Sequence, residues 1–334
     1  MQPVRWGVLS TAKIGRVKVV PAMMKSPVCN VIAVASRDEA SAREMAAELG
    51  IAKAYGSYEA LLADPAVEAI YNPLPNHLHV PMTLAAAAAG KHVLCEKPIA
   101  ITAEEAGQLR QAASQVLIAE AFMVRHHPQW HRARDLIRNG DIGELRSIHV
   151  IFSYFNVDPS NIRNNAEIGG GGLLDIGCYA VVAGRYFFDA EPVRVVTLMD
   201  KDPSFGVDRT TSALMDFGAG RQLAFTVSTQ AVPYQRIQIL GGKGRIEIEI
   251  PFNAPPDKPT QIFIDDGSLH GDRSARAIEI PVVDQYELQG EAFSRAIREA
   301  APRVFGLGDA LMNMQILDAL RQSETSSTWV AIQV

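Results

Sequence analysis

Two short stretches of the chain carry side chains suited to moving protons. The first is CEKP, residues 95–98, in which Lys97 precedes a proline. Proline disfavours helix in the residue before it, so Lys97 is set in an extended or turn conformation. There its ammonium can donate to a reacting oxygen and lower the pKa of a neighbouring acid. The second is EIGGGGLLDIGCYAV, residues 167–181. Asp175 and Tyr179 are spaced i, i+4, which puts both on one face if the segment is helical. The run of glycines before them fills no core and points to a close backbone approach or a bend. A carboxylate beside a phenol, facing a lysine, makes a proton-transfer set: a tyrosine with an ordinary pKa of roughly 10 has to become more acidic, and a nearby ammonium does that. Taken alone, Glu-Lys-Pro reads as a solvated turn, and Asp175 with Tyr179 as a surface pair after a flexible loop.

Further motifs shift that balance. GVLSTAKIG, residues 7–15, stands where a dinucleotide-binding protein carries G-x-G-x-x-G, with Ser10 and Ala12 in the first two glycine places and Gly15 in the third. A phosphate loop needs backbone N–H groups at a helix N-terminus and a chain that comes close to the pyrophosphate. Small residues can serve where the backbone angles allow it, and Gly15 falls where helix and strand must pack closely. An ordinary strand-to-helix turn fits the same residues. The second strand ends at SRD, residues 36–38. Ser36 and Arg37 suit a 2′-phosphate, whereas a carboxylate there would bond the ribose diol, so NADP is favoured over NAD. The alternative is an exposed Arg-Asp turn. RHHPQWH, residues 125–131, invites a metal reading. Pro128 opposes it, because a proline in the first helical turn leaves His127 before the helix and off the face of His131. No metal site is assigned; Arg125 or His126 could line a cleft, and Phe122 and Met123 read as core.

These residues have to be positioned by secondary structure, and the first part of the chain alternates strand-like and helical patterns, the mark of a parallel α/β sheet. VRWGVLS, VIAVAS, AIYNPL, HVLCE and QVLIAE read as buried strands. Between them SAREMAAELG stops at Gly50, Ser57 caps SYEALLAD, and HVPMTLAAAAAG stops at Gly90. Thr102 with Glu105 makes a capping box for TAEEAGQLRQAAS. After the helix PQWHRARDLIRNG the pattern changes. LRSIHVIFSYFN, VRVVTLMD, TTSALMDFG, RQLAFTVSTQ, RIQILG and GRIEIEI, joined by short glycine-containing turns, predict an antiparallel sheet. The boundary falls near residues 120–145. Helices near 285–300 and 308–322 must pack on this sheet or return to the first domain.

The length of 334 residues makes two domains the natural prior. A net charge of −5 shows no cationic excess of the kind nucleic acid or an anionic membrane would select. Cys29, Cys95 and Cys178 are far apart and form no C-x-x-C pair, which fits a reducing compartment and predicts a cytoplasmic protein. The N-terminal MQPVRWGVLS reads directly into a strand rather than as a secretory leader. LAAAAAG, the longest small-apolar run, is too short to span a bilayer.

Together, GVLSTAKIG, YNPLPNHLH (71–79), CEKP and GGGGLLDIGCY resemble the Gfo/Idh/MocA oxidoreductases over nearly the whole chain and in the same order. The resemblance implies an α/β protein: an N-terminal Rossmann domain, residues 1–122, and a C-terminal α/β domain, residues 123–334, whose large, mostly antiparallel open sheet forms the interface of a homodimer or other homo-oligomer. It implies Lys97, Asp175 and Tyr179 as the catalytic set. Tyrosine replaces a histidine common at that position, which resembles the subgroup of dimeric dihydrodiol dehydrogenases, NADP-dependent aldose 1-dehydrogenases and glucose–fructose oxidoreductase. The implied cofactor-binding set is Ser10, Thr11, Ala12, Lys13, Ile14, Gly15, Ser36, Arg37, Asn72, Pro73, Leu74, Asn76, His79, Glu96, Lys97 and Arg163, holding NADP or, secondarily, NAD. The expected activity is hydride transfer to or from a sugar, polyol or related alcohol or carbonyl. Two alternatives stay open: a redox-cycling glycoside hydrolase or lyase with held NAD, and a non-catalytic NADP-binding regulator.

Overall fold

The computed structural model describes residues 1–299 and 305–333. They form two compact units, one of Met1–Met123 with Gln285–Met314 and the other of Val124–Asp284 with Gln315–Val334.

The first unit is built on six parallel strands: β1 (Val4–Leu9), β2 (Cys29–Ala35), β3 (Lys53–Tyr55), β4 (Ala69–Asn72), β5 (His92–Cys95) and β6 (Ile118–Glu120). Their order, β3-β2-β1-β4-β5-β6, is that of a doubly wound dinucleotide-binding sheet, which reverses direction between β1 and β4. Helices cover both faces of such a sheet, which is why β1 and β4 are almost continuous apolar runs with Val4, Trp6, Val8, Leu9, Ile70 and Tyr71 fully buried. The short edge strand β3 has no counterpart in the sequence pattern. Helix ends follow local chemistry. Asp38 accepts from the amides of Ala40 and Ser41, Ser57 accepts from Ala60, and Gly50 takes a left-handed φ of 70°. The expected capping box is only half reciprocal: Thr102 accepts from the Glu105 amide, but the Glu105 carboxylate goes to the Ile101 amide instead. That helix is also shorter than its pattern, Ala103–Gly107, ending where Gly107 weakens it.

Of the two late helices, Gln285–Glu299 belongs to the first unit. Phe293 meets the Trp6 ring at 5.4 Å, and the Trp6 indole donates to Ser294 Oγ at 3.1 Å. The expected end at residue 300 lies outside the described residues. The second, Leu307–Ser326, is divided between the units after Met314.

The second unit carries nine strands: β7 (Leu145–Phe155), β8 (Arg194–Lys201), β9 (Asp208–Asp216), β10 (Gln222–Ser228), β11 (Gln230–Gly241), β12 (Arg245–Ile248), β13 (Thr260–Asp265), β14 (Arg276–Ile280) and β15 (Val330–Ala331). They run in the order β14-β13-β12-β11-β7-β10-β9-β8-β15. The sheet is mostly antiparallel, as the resemblance implied, and β7 and β10 pair in parallel at its centre, where the short turns alone predicted antiparallel pairing. The cause is topological: β10 arrives from β9 by a hairpin and meets β7 only after a long crossover that contains the helix Cys178–Phe188.

That helix is buried along its whole length and apolar except for Arg185, which pairs with Glu191. Gly184 lets it lie on the sheet, since a Cβ there would stand 2.8 Å from Phe217 and 2.9 Å from Leu223. The stretch Ala166–Phe188 is long and apolar enough to cross a membrane, yet 72% of its window is buried inside the protein, as a core helix requires. The opposite face of the sheet stays open: Leu198 and Ile151 are exposed at the two ends of one row that runs through Ser212 and Thr226, and Leu214 is exposed in the adjacent row.

Candidate active site

In the first unit the expected cofactor residues gather at the C-terminal ends of β1, β2, β4 and β5, the edge where parallel α/β sheets bind ligands. Ser10, the residue after β1, has φ 87°, a conformation that favours glycine, so a side chain replaces glycine here without relieving the backbone requirement. Its hydroxyl accepts from the Ala12 amide at 2.9 Å, and its own amide donates to Ala35 O at 2.8 Å. Thr11 and Ala12 are partly exposed and Lys13 is exposed, while Ile14 packs on the core. Gly15 opens a widened π turn, Gly15–Val19, ahead of Pro21, whose missing N–H and ring crowd the preceding turn. A Cβ at Gly15 would sit 3.4 Å from Tyr71 and 3.6 Å from Pro73, ordinary contact distances. The tight strand-to-helix packing expected at Gly15 occurs instead at Gly7, where a Cβ would come within 2.7 Å of Leu61.

Ser36 and Arg37 follow β2. Ser36 Oγ accepts from the Asp38 amide at 3.2 Å, and Arg37 is exposed beside Tyr58, whose phenol is pushed up by burial while the guanidinium draws it down. Small loop residues ahead of a helix, followed by a hydroxyl and a guanidinium at the next strand end, fit a phosphorylated dinucleotide.

After β4, the fully buried Asn72 orders the turn: its amide donates to His79 O and Thr83 Oγ1, and its oxygen accepts from the Leu74 amide. Asn76 begins a short 3₁₀ turn, Asn76–Leu78. His79 lies between two carbonyls, with Nδ1 2.6 Å from Pro98 O and Nε2 2.6 Å from Leu74 O. It therefore ties the Pro73–Leu74 segment to the CEKP turn. Glu96 accepts from the buried Tyr71 hydroxyl at 2.7 Å, and burial beside that carboxylate pushes the phenol's pKa well up. Lys97 follows at the end of β5, and its bond to Pro98 is cis.

In the second unit Arg163, Asp175 and Tyr179 belong to one constellation. Arg163 Nε bonds Asp175 Oδ1 at 2.9 Å, and Tyr154, at the end of β7, donates its hydroxyl to Asp175 Oδ2 at 2.6 Å. Asp175 lies in a π turn, Leu173–Gly177, and Tyr179 in the first turn of the α-helix that follows, so the uniform helix assumed for their spacing is corrected. The Tyr179 ring is 6% exposed and packs on Phe152 and Phe252, at 5.9 and 5.4 Å between centroids.

The glycine run shows why it must be glycine. A Cβ on Gly170 would lie 2.5 Å from Arg163 O and 2.6 Å from Asn165 O, and one on Gly171, where φ is 109°, would collide with the Asp208 carboxylate. The Gly171 amide donates to Arg163 O at 2.9 Å. The bend thus holds the backbone of Arg163, while Asp208 Oδ2 receives the Leu173 amide at 2.6 Å and caps the helix from β9. Burial pushes the Asp208 carboxyl up against the donors that hold it, Thr211 and Leu173.

Tyr154, Asp208 and Tyr71 escaped the sequence reading. A phenol or carboxylate at a strand end gives no spacing signal, and each touches residues far away in the chain. The histidines near 125–131 serve structure: His127 Nδ1 accepts from the Gln129 amide as a helix cap, and His131 Nε2 bonds Arg125 O at 2.7 Å.

Residues 4–118 match the family described as oxidoreductases with an NAD-binding Rossmann fold, and residues 130–247 match the GFO/IDH/MocA C-terminal domain. The chain is 44% identical over 334 residues to an uncharacterized oxidoreductase of Rhizobium meliloti, covering 99% of this chain and 100% of that protein. It is 36% identical over 336 residues to a D-xylose 1-dehydrogenase (NADP(+)) of Haloferax volcanii, covering 98% and 99%. A 3-ketoreductase from Actinomadura kijaniata, solved in complex with NADP and TDP-benzene, superposes with a TM-score of 0.90 at 30% identity, covering 96% and 98% of the two chains.

Burial holds His79, His126 and His127 down, each to about 4 from an ordinary 6.5. Their folded values lie below the unfolded one, so the unfolded chain binds more protons between those limits. The stability they contribute is full above about pH 6.5 and is lost as the pH falls toward 4. The urea midpoint is therefore expected to drop between about pH 6.5 and 5, where most carboxylates are still ionised. A flat midpoint there would mean that the imidazoles are protonated in the folded protein.

Proposed function

The chain belongs to the Gfo/Idh/MocA family of oxidoreductases, and from that premise we propose that it is an NADP(H)-dependent dehydrogenase or reductase of a sugar or related polyol. The observation that carries the reading is the placement of Lys97 after β5, on the sheet edge that also holds the Ser10–Gly15 loop and Ser36–Arg37. Bound NADP supplies the hydride acceptor, or NADPH the donor, at the nicotinamide. Amides of the Ser10–Gly15 loop receive the pyrophosphate, Ser36 and Arg37 receive the 2′-phosphate, and Asn72, Pro73, Leu74, Asn76, His79 and Glu96 shape the bordering turns. Tyr179 exchanges the proton of the substrate oxygen. Lys97 polarises that oxygen and makes the phenol more acidic, and Asp175 orients the substrate hydroxyl. The NADP preference of the xylose dehydrogenase and the NADP complex of the ketoreductase support the choice of cofactor.

We further place the chain in the cytoplasm, consistent with three buried cysteines, none of which forms a disulfide among the described residues. We also assign it a homodimer built on the open sheet face. Leu198, Ser212, Thr226 and Ile151 stand side by side in that face, and Leu198 is 72% exposed, an apolar surface of the kind that a second copy covers. Sedimentation velocity is expected to show a dimer for the native chain and a monomer for the Leu198→Glu, Ile151→Glu double variant. A monomeric native chain contradicts this assignment.

A screen of aldoses, ketosugars, inositols and dihydrodiols, followed by NADPH absorbance, tests the activity. Turnover with NADP is expected to exceed that with NAD. Lys97→Met is expected to lower kcat by roughly 10²–10³-fold with NADPH affinity nearly unchanged. Near-normal kcat in that variant, or a clear NAD preference, overturns the respective assignment.

A further inference from the structure

Asp175 receives a donor on each oxygen, from different parts of the second unit. Arg163 reaches Oδ1 from the loop after β7, and Tyr154 reaches Oδ2 from the end of β7 itself. The Tyr154 bond, at 2.6 Å, has the length of a charge-assisted O–H···O⁻ contact. Tyr154 cannot easily reverse that role. Burial and the carboxylates of Asp175 and Asp208 all disfavour its phenolate, with only Arg163 opposing, so it stays a donor. The field of Arg163 extends over Asp175, Tyr154 and Tyr179 together, so the four side chains form one electrostatic unit. The Tyr179 ring packs on the apolar Phe152 and Phe252.

We propose that Tyr154 is a positioning residue for proton transfer: its hydroxyl fixes Asp175 and draws off part of the carboxylate's charge, so that Tyr179, one helical turn away, releases its proton more readily. The inference rests on the reading of Tyr179 as the acid/base, but its physical content concerns ionisation in the resting protein. Without the Tyr154 hydroxyl, the Asp175 charge loses one of the donors that compensate it. More negative potential then falls on Tyr179, and its phenolate becomes less stable. The effect passes through Asp175, so it must vanish when Asp175 is made neutral.

The experiment is a titration of the full-length protein labelled with ¹³C at the tyrosine ζ carbon, with the Tyr179 resonance assigned by its loss in Tyr179→Phe. Tyr154→Phe is expected to raise the Tyr179 pKa by about half a unit to one unit, less than a whole hydrogen bond to a charged group because the effect reaches Tyr179 through Asp175. The same substitution in an Asp175→Asn background is expected to leave it unchanged. In sugar oxidation, the rising limb of kcat/KM against pH should move upward by the same amount in Tyr154→Phe. Thermal unfolding of each variant identifies any that fails to fold, and Tyr154→Met then replaces Tyr154→Phe. An unchanged Tyr179 titration in folded Tyr154→Phe, or an equal shift in the Asp175→Asn background, overturns the proposal. Absence of turnover in the native chain, with the expected titration shifts present, overturns the functional reading and leaves the coupling of Tyr154 to Tyr179 standing.

Discussion

The Asp175 carboxylate, gripped by Arg163 on one oxygen and Tyr154 on the other, sets the terms for much of the second unit. A largely buried carboxylate is costly unless donors meet it, and these two come from segments that reach it only if the chain turns back on itself. Gly170 and Gly171 make that return possible, because any side chain there would strike the Arg163 backbone or Asp208. Asp208 then caps the first turn, and Gly184 lets the helix settle on the sheet. The run of glycines is thus the geometric condition for the charge arrangement.

The first unit shows the same economy of backbone contacts. Apart from the Asn72 contact to the Thr83 hydroxyl, Asn72 and His79 engage main-chain partners, and His79 holds the turn after β4 against the turn after β5. Their contribution is to shape the border of the nucleotide edge. Ser10 is the complementary case. It retains the positive φ that a glycine would accept freely and adds a hydroxyl that engages the Ala12 amide. Substitution of the fingerprint glycines therefore changed which groups are offered to a phosphate while the backbone path kept its glycine-like conformation.

How much of this was legible in the sequence depended on the range of the interactions. Alternating strands and helices, the cap at Ser57 and the stops at Gly50 and Gly90 rest on neighbours in the chain, and from them a parallel α/β sheet could be read. β3 is only Lys53–Tyr55, too short to carry a period, and the central parallel pairing of β7 with β10 follows from a crossover that no local pattern encodes. The spacing of Asp175 and Tyr179 drew attention to the two residues, but the π turn that holds Asp175 departs from the ideal helix on which such spacing is judged. Tyr154 and Asp208 were invisible because their partners lie 21 and 35 residues away.

The central claim is that the chain passes hydride directly between a sugar carbon and NADP while Tyr179 handles the proton. It is tested most directly with a perdeuterated aldose chosen for the fastest turnover, with mass spectrometry of the nucleotide formed. The account predicts one deuterium in each NADPH produced and none exchanged with water. Deuterium appearing in solvent, or sugar converted with no net NADPH, would contradict it.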